Sequence, residues 1–154
     1  MAEVTFPYPM GCSALPGGAG SMLTKCDISG ESTLPPYGYR DYASVGPNVQ
    51  VMLAYNVTSV TGNNVNVMWL DNKNYRLFLQ NAPYSYVSYY SRVNVISAVF
   101  PIEIFSTGQA QYHLVLKAFD WSNPIGFLAD VTLKSHGGAV HFEHQINKNA
   151  FVYE

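Results

Sequence analysis

Charged residues are scarce in this chain of 154 residues, since Asp, Glu, Lys and Arg make up only 12% of it, about half the usual share. The eight Lys and Arg residues are scattered singly, and the formal net charge is −2. Binding to nucleic acid requires clustered basic residues, so we expect no nucleic-acid partner. Sparse charge also leaves little electrostatic repulsion between copies of the protein, which favours self-association.

Long hydrophobic runs are missing as well. No segment approaches the roughly 18 continuous apolar residues of a membrane-spanning helix. The first twenty residues contain neither the basic region nor the apolar core of a secretory leader. We therefore expect no membrane span. The protein is expected to be extracellular or at the cell surface if a leader was removed, and cytoplasmic otherwise.

Catalytic motifs are absent from the sequence. It contains no G-x-S-x-G, no phosphate-binding loop and no G-x-G-x-x-G, the motifs of common hydrolases and nucleotide-binding enzymes. The ten acidic residues are dispersed, and no spacing selects a carboxylate pair for glycoside chemistry. We therefore expect no enzymatic activity and no cofactor.

Cysteine is limited to Cys12 and Cys26, which lie in a Gly- and Pro-rich region. A disulfide between them would close a short loop and stabilise the fold by roughly 3 kcal/mol. Two unpaired thiols are the alternative. Asn56-Val57-Thr58 forms a glycosylation sequon, which has meaning only in a secreted protein.

Tyrosine and phenylalanine are plentiful instead, with twelve and eight copies, and both favour β-strands. Apolar residues alternate with polar ones from Val49 onward, and turn residues recur every eight to twelve positions, which is typical of a β-sandwich. After the strand that begins at Val65, the residues Tyr75, Phe78 and Leu79 recur at helical spacing. The sequence predicts an all-β, antiparallel, jelly-roll-like sandwich of seven or eight strands with one short helical turn.

The region before Val49 is rich in Gly and Pro and predicts an irregular N-terminal arm over residues 1–48, followed by a sandwich domain over residues 49–154. Aromatic residues recur in this arm and are candidates for contact with a partner. They are Phe6, Tyr8, Tyr37, Tyr39 and Tyr42. The alternative is that they lie on the surface of their own domain.

Two further groups of side chains suggest ligand sites. Trp121 lies in a turn beside polar residues, as in sugar-binding sandwiches, and Tyr84, Tyr86 and Tyr89 would extend such a platform. His136, His141 and Glu143 carry metal-ligand types near the C-terminus. Their spacing matches no established zinc pattern, so solvated side chains are the alternative.

Several motifs in residues 48–134 follow a recognisable layout. A strand with alternating valines ends in Asp, leads into an Asn-Tyr-x-x-Phe turn of helix, and a later Gly opens a Tyr-x-Leu-Val strand. The residues concerned are Val65, Val67, Leu70, Asp71, Asn74, Tyr75, Phe78, Gly108, Tyr112, Leu114 and Val115. This layout resembles the GOLD and emp24-like β-sandwich domains. The resemblance implies a non-enzymatic interaction module of secretory or membrane-trafficking settings. A cargo-receptor role does not carry over, because the chain has no transmembrane or coiled-coil segment.

These observations together predict a non-catalytic structural or interaction protein. Low charge, abundant tyrosine and the predicted arm favour self-assembly into a homo-oligomer, filament or surface layer, or a complex with other protein subunits. An extended arm would pair with an exposed edge strand of a neighbour. The alternative is a carbohydrate-binding, lectin-like module that uses the exposed Trp and Tyr residues to bind glycans.

Overall fold

A computed structural model of the chain describes the backbone of residues 12–16, 22–136, 140–141 and 145–148, and the side chains of residues 32–42 and 45–133. These residues form eleven strands, the helix α1 (Asn72–Leu79) and a short 3-10 helix (Ser88–Tyr90). The strands are β1 (Cys12–Pro16), β2 (Met22–Leu34), β3 (Gly38–Val45), β4 (Gln50–Ser59), β5 (Val65–Asp71), β6 (Arg92–Val95), β7 (Ser97–Ser106), β8 (Tyr112–Ala118), β9 (Ile125–His136), β10 (Val140–His141) and β11 (Gln145–Lys148). The predicted all-β class is confirmed.

The strands form two antiparallel sheets. The first sheet has the order β1-β2-β9-β4-β7, and the second has the order β10-β3-β8-β5-β6, with β11 also pairing with β3. From β2 to β9 the strands pair from the outside of the chain inwards, as β2 with β9, β3 with β8, β4 with β7 and β5 with β6. This nested pairing is the connectivity of a jelly roll, in which one long hairpin folds over itself into two sheets.

The main core lies between the two sheets. In β4 the side chains of Val51, Leu53, Tyr55 and Val57 are buried, while the residues between them are more exposed. This is the period of two expected of a strand with one buried face. Trp69 of β5 is fully buried in the same core, as its phase in the sequence predicts.

The second sheet is buried on both faces, because α1 packs against its outer face. Met68 and Leu70 of β5 and Val115 of β8 form a second apolar cluster with Phe78 of α1. The helix begins where Asp71 accepts a hydrogen bond from the backbone N–H of Asn74 at 2.8 Å, a capping contact that satisfies one unpaired donor of the first turn. The predicted helical segment is thus confirmed.

The structure corrects the predicted N-terminal arm. Residues 22–45 belong to the sandwich, since β2 pairs with β9 along its length and β3 pairs with β8. Pro35-Pro36 lies between β2 and β3 and marks a turn rather than a linker. The composition of this region does not distinguish a turn between strands from a linker. Consequently the boundary expected at residue 48 does not separate an arm from a domain. Residues 1–11 and 17–21 lie outside the described residues.

Candidate functional site

Large aliphatic side chains are exposed on the outer face of the first sheet. Ala98 and Phe100 of β7 point into the core, whereas their neighbours on the other side of the sheet face outward. Val99, Ile102, Ile104 and Leu128 are each between 48% and 57% exposed. Strand register places Ile104 opposite Met52 of β4. We call this surface, made of Met52, Val99, Ile102, Ile104 and Leu128, the aliphatic face.

The outer edge of β7, by contrast, is partly capped by side chains. Arg92 donates from Nε to the carbonyl oxygen of Val99 at 3.1 Å, and the hydroxyl of Tyr90 donates to the carbonyl oxygen of Ile104 at 2.9 Å. Pro101 removes one backbone donor, and the β4–β7 pairing is irregular beside it. These are devices by which proteins protect an edge strand from pairing with another chain.

A pocket of about 220 Å³ opens beside the C-terminal end of α1. Its lining residues are Phe78, Asn81, Ala82, Tyr84, Lys117 and Trp121. The ring of Phe78 contacts Tyr84 edge to face with centroids 5.4 Å apart, and it meets Trp121 at 5.6 Å. The ring of Trp121 also contacts Tyr37 edge to face, with the ring centroids 6.3 Å apart. The pocket therefore has three aromatic walls that are fixed by ring contacts.

Lys117 is the one described lining residue of this pocket with a charged side chain, and it is only 8% exposed. Its Nζ donates to the carbonyl oxygens of Ala118 at 2.6 Å and Phe119 at 3.3 Å. The same nitrogen lies 4.5 Å from the ring centroid of Trp121, a cation–π contact. Burial lowers the pKa of Lys117 to about 8, and the nearby charge of Asp120 opposes this shift.

The predicted aromatic platform is divided between two places. Trp121 and Tyr84 line the pocket together, but Tyr86 is not among its lining residues. Tyr89 is exposed elsewhere, where its hydroxyl donates to Glu103 at 2.8 Å and its ring contacts Tyr90. Nothing in the sequence indicates that Phe78 and Lys117 are pocket residues. Their proximity depends on α1 lying across β8, which no local pattern in the sequence specifies.

A second polar group is buried near the start of α1. Nδ1 of His113 lies 3.0 Å from a carboxylate oxygen of Asp41, and its Nε2 lies 3.3 Å from the side-chain oxygen of Asn72. The imidazole stacks on the ring of Tyr75 with centroids 3.8 Å apart. Burial, with the charge of Asp41, raises the pKa of Tyr75. His113 therefore links β3, β8 and α1 through both of its ring nitrogens and its ring face.

The structure describes three of the five aromatic residues that were predicted to contact a partner. Tyr39 and Tyr42 are buried in the domain's own interior, which corrects their assignment as partner contacts. Tyr37 packs on Trp121 of the same domain. The bulky rings supply core volume that a Gly- and Pro-rich segment otherwise lacks. Phe6 and Tyr8 lie outside the described residues.

The predicted metal ligands lie in or near the last strands. The backbone of His136 ends β9 in the first sheet, and that of His141 lies in β10 of the second sheet. Their side chains and Glu143 lie outside the described residues. Within the described part of the chain, no three His, Cys, Asp or Glu side chains form a group that could hold a metal ion.

Two other expectations concern the cysteines and the membrane. The register of β1 and β2 places Cys12 directly opposite Cys26. No helix among the described residues is long and apolar enough to cross a membrane.

Comparison of the chain with family models, curated proteins and solved structures found no match. The resemblance to GOLD domains therefore stays a prediction.

Proposed function

We propose that the protein is a non-catalytic structural or interaction protein whose copies associate through the aliphatic face. The observation that supports this proposal is the set of four aliphatic side chains on one sheet face that remain about half exposed. Exposed apolar side chains on one face of a soluble domain commonly mark an interaction site, because burying them is favourable by roughly 25 cal/mol per Å².

A second copy of the chain is the occupant that this face suits best. Two sheets pack face to face when their apolar side chains interdigitate, and a two-fold contact brings the same surface of each copy together. The net charge of −2 gives little repulsion between copies. The outer face of the second sheet cannot serve in this way, because α1 already packs on it.

The proposed mode of association differs from the strand addition expected from the sequence. Tyr39 and Tyr42 are not available to a neighbour, and the side chains of Arg92 and Tyr90 occupy carbonyl oxygens at the edge of β7. Pairing of β7 with another strand would have to displace both bonds. Face-to-face packing leaves them intact.

The experiment compares the oligomeric state of two lysine variants by analytical ultracentrifugation over a range of concentrations. Ile104→Lys places a charge on the aliphatic face, at its most exposed residue, and is expected to weaken association at least about tenfold. Phe119→Lys is the matched control, because Phe119 is 49% exposed but follows β8 in the second sheet, away from the aliphatic face. It is expected to associate like the wild type.

A wild-type protein that is monomeric at every concentration would overturn the proposal. So would an Ile104→Lys variant that assembles as strongly as the Phe119→Lys control. Association only after addition of a different protein would show that the partner is not a second copy.

A further inference from the structure

The pocket beside α1 presents an apolar surface of the kind that holds a ring. Phe78 is almost fully buried and forms its floor, while Tyr84 and Trp121 contact Phe78 from two directions. Aromatic walls of this kind bind rings through stacking and edge contacts. The volume of about 220 Å³ equals that of about seven waters, so the space suits a single small ring with one substituent.

The lining of the pocket also includes the largely buried side chain of Lys117, on which the charge of Asp120 acts without forming an ion pair. Lys117 forms no ion pair with any carboxylate among the described residues. An ammonium group has three donors, and the described contacts with Ala118 and Phe119 account for two. No described hydrogen bond accounts for the third donor, and Lys117 is a residue that lines the pocket. An anionic oxygen there would gain a charge-assisted hydrogen bond in a site of low polarity.

We propose that this pocket binds a small carboxylic acid that carries one ring, with the ring between Trp121, Phe78 and Tyr84 and the carboxylate on Nζ of Lys117. Charge complementarity selects an acid over a neutral sugar. A neutral saccharide could stack on Trp121 but would offer the ammonium no charge-assisted hydrogen bond. This inference is independent of the proposed association, because the pocket and the aliphatic face lie on different sheets.

Calorimetric titration of the full chain with benzoate, glucuronate, benzyl alcohol and methyl glucoside tests the inference. Benzoate and benzyl alcohol have rings of the same size and differ in charge, and the two sugars form a second such pair. We expect at least one acid to bind at least about tenfold more tightly than its neutral counterpart. Equal binding within both pairs, or tighter binding of methyl glucoside than of either acid, would overturn the proposal.

Two variants locate the binding. Lys117→Met keeps the length of the side chain and removes its charge, so it should abolish the preference for the acid. Lys73→Met is the control, because Lys73 is exposed on α1 and is not a pocket residue. Retained preference in Lys117→Met would contradict the proposal.

The wild type gives an independent readout should Lys117→Met fail to fold. Benzoate affinity should fall about tenfold or more between pH 7 and pH 10 as the ammonium loses its proton. Burial raises the pKa of the neighbouring Tyr84, which works against ionisation of that hydroxyl in this range. An acid affinity that is unchanged across this range would overturn the proposal.

Discussion

Arg92 donates a hydrogen bond from Nε to the backbone carbonyl oxygen of Val99, 3.1 Å away, at the outer edge of β7. Its Nη1 donates to the carbonyl oxygens of Tyr89 at 3.1 Å and Ser91 at 2.9 Å, and the guanidinium lies 5.1 Å from the ring centroid of Phe100. One side chain thus fastens the segment before β6 to the edge of the first sheet. The first sheet has a capped edge and an exposed aliphatic face, and these two features predict opposite effects of substitution.

Replacing Arg92 should increase association rather than weaken it. Arg92→Met keeps an apolar stem over Phe100 but exposes the carbonyl oxygen of Val99, which becomes available to another strand. We expect large assemblies to form slowly. Light scattering at constant temperature measures their growth. Arg76→Met, an exposed substitution on α1, is the control. If both variants remain as small as the wild type, the hydrogen bond of Arg92 does not protect the edge.

The buried pair of His113 and Asp41 should contribute strongly to stability. His113→Ala removes a hydrogen-bonding partner of the buried Asp41 carboxylate and the stacking surface of Tyr75, and loss of a buried hydrogen-bond partner costs about 1–3 kcal/mol. Urea denaturation of the variant at pH 7 measures this loss. Asp41→Asn and the double variant complete a thermodynamic cycle. A coupling free energy near zero would mean that the two side chains act independently.

Lys117 should make stability depend on pH in an unusual direction. Burial lowers its pKa from 10.5 to about 8, so between those values the unfolded chain binds more protons than the folded one, and the contribution of Lys117 to the free energy of unfolding rises with pH. Lys117→Met should lack this rise and should be at least as stable as the wild type at pH 7. Denaturation at several pH values between 7 and 10 compares the two. Identical pH dependence would show that Lys117 is not the cause.

Buried tyrosines should reverse the trend at higher pH. Burial raises the pKa of Tyr42 and Tyr55 above the ordinary value of 10. Their stabilising contribution is complete below pH 10 and is lost above it, since the unfolded chain then releases protons that the folded chain retains. Tyr55→Phe should reduce the loss, measured by denaturation above pH 10. A loss as steep as in the wild type would assign it to other groups.

The opposite placement of Cys12 and Cys26 predicts a disulfide under oxidising conditions. Directly paired residues of antiparallel strands have Cα atoms about 4.5–5.5 Å apart, within the range that disulfides span. The bridge should raise stability by roughly 3 kcal/mol. Mass spectrometry after alkylation, with and without reductant, detects it, and Cys12→Ser is the control. Full alkylation of the oxidised sample would contradict the prediction.

The sequence reveals those parts of the fold that depend on near neighbours. Alternation in β4 and β5 requires only that one side of each strand be buried, so the period of two is visible residue by residue. Asp71 caps a helix three residues before Asn74, which is also a local signal. By contrast, His113 and Asp41 are 72 positions apart, and nothing near either residue indicates the other.

Segments rich in Gly and Pro give a weaker local signal of their secondary structure. β2 and β3 carry few of the alternating apolar residues that identify β4, and their strand state depends on main-chain hydrogen bonds from β9 and β8. Such bonds are available to almost any sequence that meets a suitable edge. The composition of this region therefore predicts an arm where the structure has two paired strands.

The sequence by itself determines that this protein is an all-β sandwich with low charge, because hydrophobic periodicity and composition can be read from neighbouring residues. Only the tertiary structure decided that Lys117 and Trp121 share a pocket, that β7 has a capped edge, and that the exposed aliphatic surface lies on the first sheet. The reason is that burial of a strand's second face depends on what packs against it. Here α1 packs on the outer face of the second sheet. The pocket therefore forms beside α1, and the outer face of the first sheet keeps its aliphatic side chains exposed.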